Sequence, residues 1–555
     1  MVGMKKTLEN ILEKIPRGML ETDVTPPDSD LKSVEIEHIE FDSRAVKPGT
    51  LFFALPGTHT TGNKFIASAI ENGAAAVIYE GTISDEEQEK IQEASQKAGR
   101  RVPLIKVPSS RKAMSPVSAS FYDDPSSHMV VYGVTGTEGK SSTVAFIWQL
   151  LTKCGIKAGF ISTVQYSLGG EAVNNPQHQT TPEAPIVQRE LYEMLQNGCT
   201  HAVVESSSHG LSETLNRLGN VHFDCAVFMN VTLEHLEFHK TYEQYKSDKA
   251  NLFRALDKWS HSKILGMSGN KETEVTSFGI INAEDEASPY FAKATSKPVV
   301  AFAKESASTY TDKEIPLSKI KDIKASSSEV SFTLEASSLK DSAQVKVTSP
   351  TPGAFNSYNI SAAMLAVNGT TGISFAELAD KVKDLVSVTG RMTVINQGQP
   401  FEVIVDYAHT PSSFQTIFPP IKDRCSGKMI AVFGSAGERD VTKRPLQGAI
   451  AARYCDTLIL TDEDPRQEDS HAIIEMIARG ARLEGKTDGD SIIIQSDRKQ
   501  ALRKAFSIAK ENDIVLLLGK SHENSIIYKD YTMPYDEIAE AKKALQEMGF
   551  KGEVK

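Results

Sequence analysis

The clearest chemistry in the sequence lies in Gly133-Val134-Thr135-Gly136-Thr137-Glu138-Gly139-Lys140-Ser141. An apolar run over residues 129–134 leads into it and a helical pattern over 141–154 follows. Strand, glycine loop and helix are the context that a phosphate-binding loop requires. Gly136, Thr137, Glu138 and Gly139 supply backbone N–H groups, Lys140 a mobile positive charge, and Ser141 a hydroxyl within reach of a Mg²⁺ bridging two phosphates, with Ser142 beside it on the nucleotide. A strict G-x4-G-K-[ST] pattern would put its first glycine at Val134, so the match fails by one position. Glu138 is out of place: an acid in a phosphate cradle opposes the nucleotide's charge unless it points away or meets the metal. A second reactive group is Lys249. Tyr245, Lys249 and Phe253 are spaced i, i+4, i+8 on one helix face, so the ammonium lies beside apolar neighbours. Desolvation lowers a lysine's pKa and raises the share of free amine, which can capture CO₂ as a carbamate. Glu205 and His235 fall at the ends of expected strands, where α/β sheets place ligand-contacting loops. ATP binding alone leaves kinase, ATPase and ligase open.

The elements that must hold these groups read as an α/β chain of three domains in series. At 555 residues the chain exceeds one core. The first domain, residues 1–127, has strand candidates at 34–41, 51–55 and 75–79 and a helix at 65–72. The second, 128–386, alternates apolar runs at 129–134, 202–204 and 226–231 with helical stretches at 186–196 and 242–256, a pattern that implies a largely parallel sheet covered on both faces. The Ser- and Lys-rich stretch 265–350 reads as peripheral to that sheet. The third, 387–555, has strands at 403–405, 429–433, 457–461, 491–494 and 514–518. Hydrophobic residues at 40% and charged residues at 24% exclude wholesale disorder, and a net charge of −11 argues against nucleic-acid binding. Five cysteines without C-x-x-C spacing fit a reducing compartment, and no apolar run approaches 18 residues. The expectation is a cytoplasmic monomer without membrane insertion.

The loop variant T-G-T-E-G-K-S is followed by Gln179-Thr180-Thr181-Pro182-Glu183, Glu205-Ser206-Ser207-Ser208-His209-Gly210-Leu211, the Asn230–His239 stretch N-V-T-L-E-H-L-E-F-H, and Tyr245-Lys246-Ser247-Asp248-Lys249. Later come Gly353-Ala354-Phe355-Asn356-Ser357-Tyr358-Asn359, Gly390-Arg391-Met392, Asp406-Tyr407-Ala408-His409-Thr410-Pro411, Gly437-Glu438-Arg439-Asp440, Asp464-Pro465-Arg466 and Gly519-Lys520-Ser521-His522-Glu523. In this order and spacing the set resembles the Mur ligase family, in particular the UDP-N-acetylmuramoyl-tripeptide synthetases, over most of the chain. The resemblance implies a UDP-sugar-binding first domain, a P-loop ATPase-like central domain and a Rossmann-like third domain. It also implies an ATP-dependent ligase of peptidoglycan synthesis, working in cell wall biogenesis, cell shape and cell division. The partners would be UDP-N-acetylmuramoyl-L-alanyl-D-glutamate and a free amino acid, joined through an acyl phosphate on the D-glutamate side chain.

By the same resemblance Ser141 and Glu205 hold one Mg²⁺. His235 and Lys249, the latter as N6-carboxylysine, hold a second. Ser43 contacts the uridine diphosphate; Thr180, Thr181, Ser207 and Arg217 contact the muramoyl peptide. Arg217 lies two residues further from Ser207 than the family pattern has it, and an ordinary surface arginine is its alternative. Asn356 and Asn359 fall on the adenine side, or merely cap a helix. Arg391 and Asp406 reach back onto the nucleotide from the third domain, which implies catalysis after domain closure. His209 and His239 read equally as structural.

The incoming amino acid falls to Arg439, Glu463, Asp464, Pro465, Arg466, Gly519 and Glu523. Family members that use meso-diaminopimelate usually show D-N-P-R where this chain has Glu463-Asp464-Pro465-Arg466. Asp464 either pairs with Arg466, leaving a pocket for the distal ammonium of lysine or ornithine, or takes the amine of meso-diaminopimelate while Arg466 takes its carboxylate. A diamino acid is expected, with a tilt towards the monocarboxylates and Glu523 helping to hold an amine. Two other readings stay open: a folylpolyglutamate synthetase-like ligase, and a catalytically silent homologue in which Glu138 has weakened ATP binding.

Overall fold

A computed structural model describes residues 4–15, 24–57, 61–175, 179–232, 234–267, 269–307 and 315–552. Three large sheets carry the chain. The first has the order Val24–Thr25, Leu104–Lys106, Ala74–Tyr79, Thr50–Ala54, His38–Glu40, parallel except for its first strand. Strands Thr50–Ala54 and Ala74–Tyr79 are buried on every residue because helix Ser110–Phe121 covers one face of the sheet and helices Ile66–Glu71 and Asp85–Lys97 the other. The single strand expected over 34–41 is two strands. Glu37 and His38 both donate their N–H groups to the Gly49 carbonyl (2.8 and 3.3 Å), which bends the chain between Glu35–Ile36 and His38–Glu40.

The second sheet has eleven strands. Its parallel centre runs Ala158–Ile161, His201–Glu205, Val130–Thr135, Cys225–Phe228, Phe278–Asn282, Val299–Lys304, with helices Lys140–Lys153 and Asn356–Thr371 on one face and Ala184–Gln196 and Tyr242–Ala255 on the other. Glu205 pairs in register with Val134 and Phe228 with Thr135, so the loops after these three strands open along one edge. Residues 265–350, which the sequence suggests are peripheral, belong to the sheet: Phe278–Asn282 and Val299–Lys304 are buried members of it. Leu317–Ala325, Val330–Ser337 and Ser342–Ser349 extend it as a meander. The inward residues Val330, Phe332 and Leu334 join the core beneath Asn356–Thr371, while the outward ones are the serines and lysines that diluted the apolar signal.

The third sheet has the order Thr393–Ile395, Glu402–Asp406, Ile514–Leu518, Met429–Phe433, Thr457–Leu460, Ile492–Ile494, all parallel save the first. Among the described residues no helix is long and apolar enough to cross a membrane.

Candidate active site

The glycine loop lies at the edge of the second sheet. Gly139 has φ +82°, and a Cβ there would stand 2.7 Å from Asn359 Oδ1, so both conformation and space call for glycine. Asn230 accepts the N–H groups of Thr137 (3.1 Å) and Glu138 (2.8 Å), which shapes the loop, and the Lys140 ammonium folds back onto the Thr137 carbonyl at 2.8 Å. Ser141 donates to Glu205 Oε1 at 3.0 Å. The other Glu205 oxygen accepts from the Ser162 hydroxyl and from the Thr163 N–H at 2.9 Å. These groups form the floor of a cavity of about 700 Å³ that also takes in Ser142, Thr180, His235, Asn282, Glu284, Lys304, Tyr358, Asn359, Arg391 and Asp406.

Lys249 is 2% exposed; its ammonium donates to the Gly136 carbonyl at 2.7 Å and lies 4.5 Å from the centre of the Tyr245 ring. Burial, reinforced by the Lys140 charge, pushes its pKa well below the ordinary range. Tyr245 and Thr137 share a hydrogen bond of 3.1 Å, which ties the lysine's helix to the loop. His235 sits at φ +56° on the neighbouring loop, its Nε2 3.6 Å from Glu234 Oε2. Burial works against the Glu234 charge, but His235, His409, Lys140 and Lys443 together hold its carboxyl below the ordinary value. His239 spends both ring nitrogens on Asp248 (2.7 Å) and Ser208 (3.0 Å), a bracing role, and His209 packs on Phe238 and His235.

The third sheet closes the cavity from the far side. Asp406 accepts the N–H groups of Met392 and Ala408, both at 2.8 Å, and so fixes the connection that carries Arg391. Arg391 Nη2 donates to Ser141 Oγ at 3.3 Å. Thr410 donates to Glu138 Oε1 at 3.2 Å and Thr232 to Ser412 Oγ at 3.3 Å. Glu138 thus turns its carboxyl away from the loop's N–H groups and onto the third unit. Burial, with Glu234 adding to it, pushes that carboxyl up to about 7. Asn359 lines the cavity, whereas Asn356 lies behind it, bonded to the Pro352 carbonyl and to Asn359.

Thr181, Ser207 and Arg217 come together beside this cavity. Thr181 Oγ1 donates to the Glu205 carbonyl at 2.8 Å and accepts from Ser207 at 2.9 Å; Arg217 donates to the Thr181 carbonyl (2.9 Å) and to Glu183 (2.7 Å). Ser43 is apart from them, on the loop after His38–Glu40, where its carbonyl accepts from Asn72 at 3.0 Å.

At the third sheet's carboxyl edge the turn Glu463-Asp464-Pro465-Arg466 faces Gly519–Glu523. An Asp464–Arg466 pair, one of the two arrangements the sequence leaves open, does not form. Asp464 accepts instead from the buried Lys520 ammonium (2.8 Å) and from the Ile527 N–H (2.9 Å), and Lys520 also pairs with Glu523. Asp464 is therefore not open to a substrate amine in this arrangement. Burial opposes the Lys520 charge, but Glu523 and Asp464 outweigh it and hold the ammonium above its ordinary value. Glu463 Oε2 and Arg466 Nε are buried without a hydrogen-bond partner among the described residues, and a Cβ at Gly519 would stand 2.6 Å from that Glu463 oxygen. Arg439 is exposed on a loop that abuts the turn through Gly437 N–H to the Asp464 carbonyl, 2.8 Å. The sequence reading passed over Lys520, Glu234, His409 and Tyr407, although each stands inside a quoted motif; a charge flanked by acids of both strand ends is visible only once the strands are adjacent.

Three family models cover the chain: Mur ligase family, catalytic domain, over residues 35–122; Mur ligase middle domain over 134–367; and Mur ligase, glutamate ligase domain, over 390–521. The chain is 51% identical to a UDP-N-acetylmuramyl-tripeptide synthetase of Treponema denticola, across 92% of this chain and 94% of that one. It is 34% identical to a UDP-N-acetylmuramoyl-L-alanyl-D-glutamate–2,6-diaminopimelate ligase of Bacillus velezensis, across 95% and 97%. A solved structure of a ligase of the latter description is alike in fold, with a TM-score of 0.59, 24% identity, and coverage of 98% of this chain and 100% of that one.

Proposed function

The chain belongs to the Mur ligase family, and from that membership we propose an ATP-dependent, amide-bond-forming ligase that adds an amino acid to UDP-N-acetylmuramoyl-L-alanyl-D-glutamate in peptidoglycan synthesis. The observation that carries this reading is the convergence of Lys140, the Ser141–Glu205 pair and Arg391 on one cavity between the second and third units, with Lys249 buried behind it on the Gly136 carbonyl of the same glycine loop. A carboxylate resists amide formation because its leaving group would be oxide. In the proposed reaction the D-glutamate side-chain oxygen attacks the γ-phosphorus of ATP, the bond to the β–γ bridging oxygen breaks, and ADP departs. The amine of the incoming amino acid then attacks the acyl phosphate, loses a proton, and expels phosphate from the tetrahedral intermediate. The protein's part is charge neutralisation and alignment.

Lys140 and Arg391 are assigned to the γ-phosphoryl oxygens. Ser141 and Glu205 offer hard oxygen donors 3.0 Å apart at the cavity floor, which suits Mg²⁺. Lys249, buried beside a second cation, gains by adding CO₂ at its free amine with release of one N–H proton to solvent: the carbamate carries a negative charge and, with His235, would offer a second metal site. Mg²⁺ bound there would offset the charge that builds on the phosphate oxygens. Thr180, Thr181, Ser207 and Arg217 are assigned to the muramoyl peptide, Ser43 to the uridine diphosphate, and Asn359, with Asn356 behind it, to the adenine.

A diamino acid is the proposed nucleophile. Asp464 and Glu523 are taken up by Lys520, so Glu463, whose Oε2 is buried without a hydrogen-bond partner among the described residues, is the acid left for a distal ammonium. That acid suits lysine or ornithine, whose distal group is an ammonium alone, over meso-diaminopimelate, whose distal carboxylate it would oppose. Catalytic efficiencies for the three amino acids in wild type and Arg466→Ala test this. A wild type that strongly prefers meso-diaminopimelate, with the preference lost in the variant, overturns the choice.

A further inference from the structure

The amino-acid end and the nucleotide end of the cavity belong to different elements, yet one side chain touches both. Tyr407, directly after the strand Glu402–Asp406, donates its hydroxyl to Glu523 Oε1 at 3.3 Å. The Arg391 guanidinium lies 4.7 Å from the centre of its ring, and Arg391 in turn reaches Ser141 at 3.3 Å. His409 and His522 pack against the ring, with centroids at 4.6 and 4.7 Å, and limit its movement. Glu523 has a second anchor in Lys520, so the Tyr407 hydroxyl is not needed to satisfy that carboxylate. The loop is fastened again at Ser521, whose hydroxyl donates to the Gly390 carbonyl next to Arg391.

We infer that Tyr407 is a positioning residue that couples occupancy of the amino-acid end, through Glu523, to the placement of Arg391 over Ser141 at the phosphate end. An ammonium that engages Glu523 fixes the hydroxyl, the hydroxyl fixes the ring, and the ring fixes the guanidinium by cation–π attraction. Such a coupling is reciprocal: the amino acid tightens nucleotide binding by the factor by which nucleotide tightens the amino acid. The inference rests on the ligase reading above.

The experiment uses the full chain saturated with UDP-N-acetylmuramoyl-L-alanyl-D-glutamate. Calorimetry measures binding of a non-hydrolysable ATP analogue with and without L-lysine, L-ornithine or meso-diaminopimelate, in wild type, Tyr407→Phe and Tyr407→Leu. In wild type the amino acid that is turned over should tighten the analogue about 5-fold or more. Tyr407→Phe keeps the stack and loses the hydroxyl: the coupling should fall below about 2-fold with the analogue's own affinity almost unchanged, while KM for the amino acid rises about 5- to 10-fold at similar kcat. Tyr407→Leu loses both contacts and should weaken the analogue even without amino acid. Undiminished coupling in Tyr407→Phe, or a wild type that ligates without coupling, overturns the inference alone. A wild type that ligates none of the three amino acids overturns the ligase reading, and the inference with it.

Discussion

Lys249 concentrates the residue-scale argument. A buried ammonium 2% exposed, beside Lys140 and bonded to a neutral carbonyl, is costly as a cation and reactive as an amine. Lys249→Ala should therefore lose nearly all ligation, and added acetate or another short carboxylate should restore part of it by filling the vacated anionic position; full activity of the alanine variant would remove Lys249 from the site. Its burial was legible in the sequence, because the Tyr245–Lys249–Phe253 spacing puts it on the apolar helix face. Glu138 was legible only as an anomaly. Its partner Thr410 is 272 residues away, and no local pattern announces such a contact. With its carboxyl pushed up to about 7, Glu138 is largely neutral at pH 6 and ionised at pH 8. An acid with a raised folded-state pKa loses its stability advantage as pH rises through that value, and here the emerging charge also opposes the nucleotide phosphates. KM for ATP should accordingly rise several-fold between pH 6 and 8 in wild type, and Glu138→Gln should flatten that rise relative to wild type measured alongside. Equal pH profiles for the two would contradict the assignment.

At the scale of elements, the turn Glu463–Arg466 and the loop Gly519–Glu523 are held together by one buried lysine. Removing one partner of a buried ion cluster leaves the others uncompensated and costs about 3–5 kcal/mol. Lys520→Met should destabilise the protein by that order in urea unfolding, and Lys520→Met with Asp464→Asn should recover part of the loss, because one of the two stranded acids is then neutral. No recovery in the double variant would mean that Asp464 and Lys520 do not act as a pair. The strands that carry these loops were legible from short, wholly apolar runs such as Ile514–Leu518, since a sheet covered on both faces leaves no room for polar alternation. The meander over Leu317–Ser349 was misjudged for the opposite reason: its alternate residues face solvent, so serine and lysine mask the inward valine, phenylalanine and leucine. The pairing of Asp464 was beyond the sequence because Lys520 lies on the loop after another strand, 56 residues on.

Across the whole molecule, the glycine loop stands on the second sheet, Ser43, proposed for the uridine diphosphate, on the first, and the residues proposed for the amino acid on the third. Lys140→Ala should then abolish ligation while leaving affinity for UDP-N-acetylmuramoyl-L-alanyl-D-glutamate within about 2-fold, the lost lysine being a nucleotide contact; simultaneous loss of both would break the division of labour among the sheets. The order of three α/β units was legible because each repeats the same alternation of buried run and amphipathic helix. The contacts between units, Arg391 to Ser141 and Thr410 to Glu138, were not, since they depend on how the units meet. The account's central claim is phosphoryl transfer onto the D-glutamate carboxylate followed by amide formation, and isotope transfer tests it most directly. UDP-N-acetylmuramoyl-L-alanyl-D-glutamate labelled with ¹⁸O in the side-chain carboxylate is incubated with the enzyme, Mg-ATP and lysine, ornithine or meso-diaminopimelate, and the products are weighed by mass spectrometry. The account predicts a UDP-linked tripeptide, one ADP per amide formed, and one ¹⁸O in the released phosphate. Phosphate without label, or ATP hydrolysis that yields no tripeptide with any of the three amino acids, would contradict it.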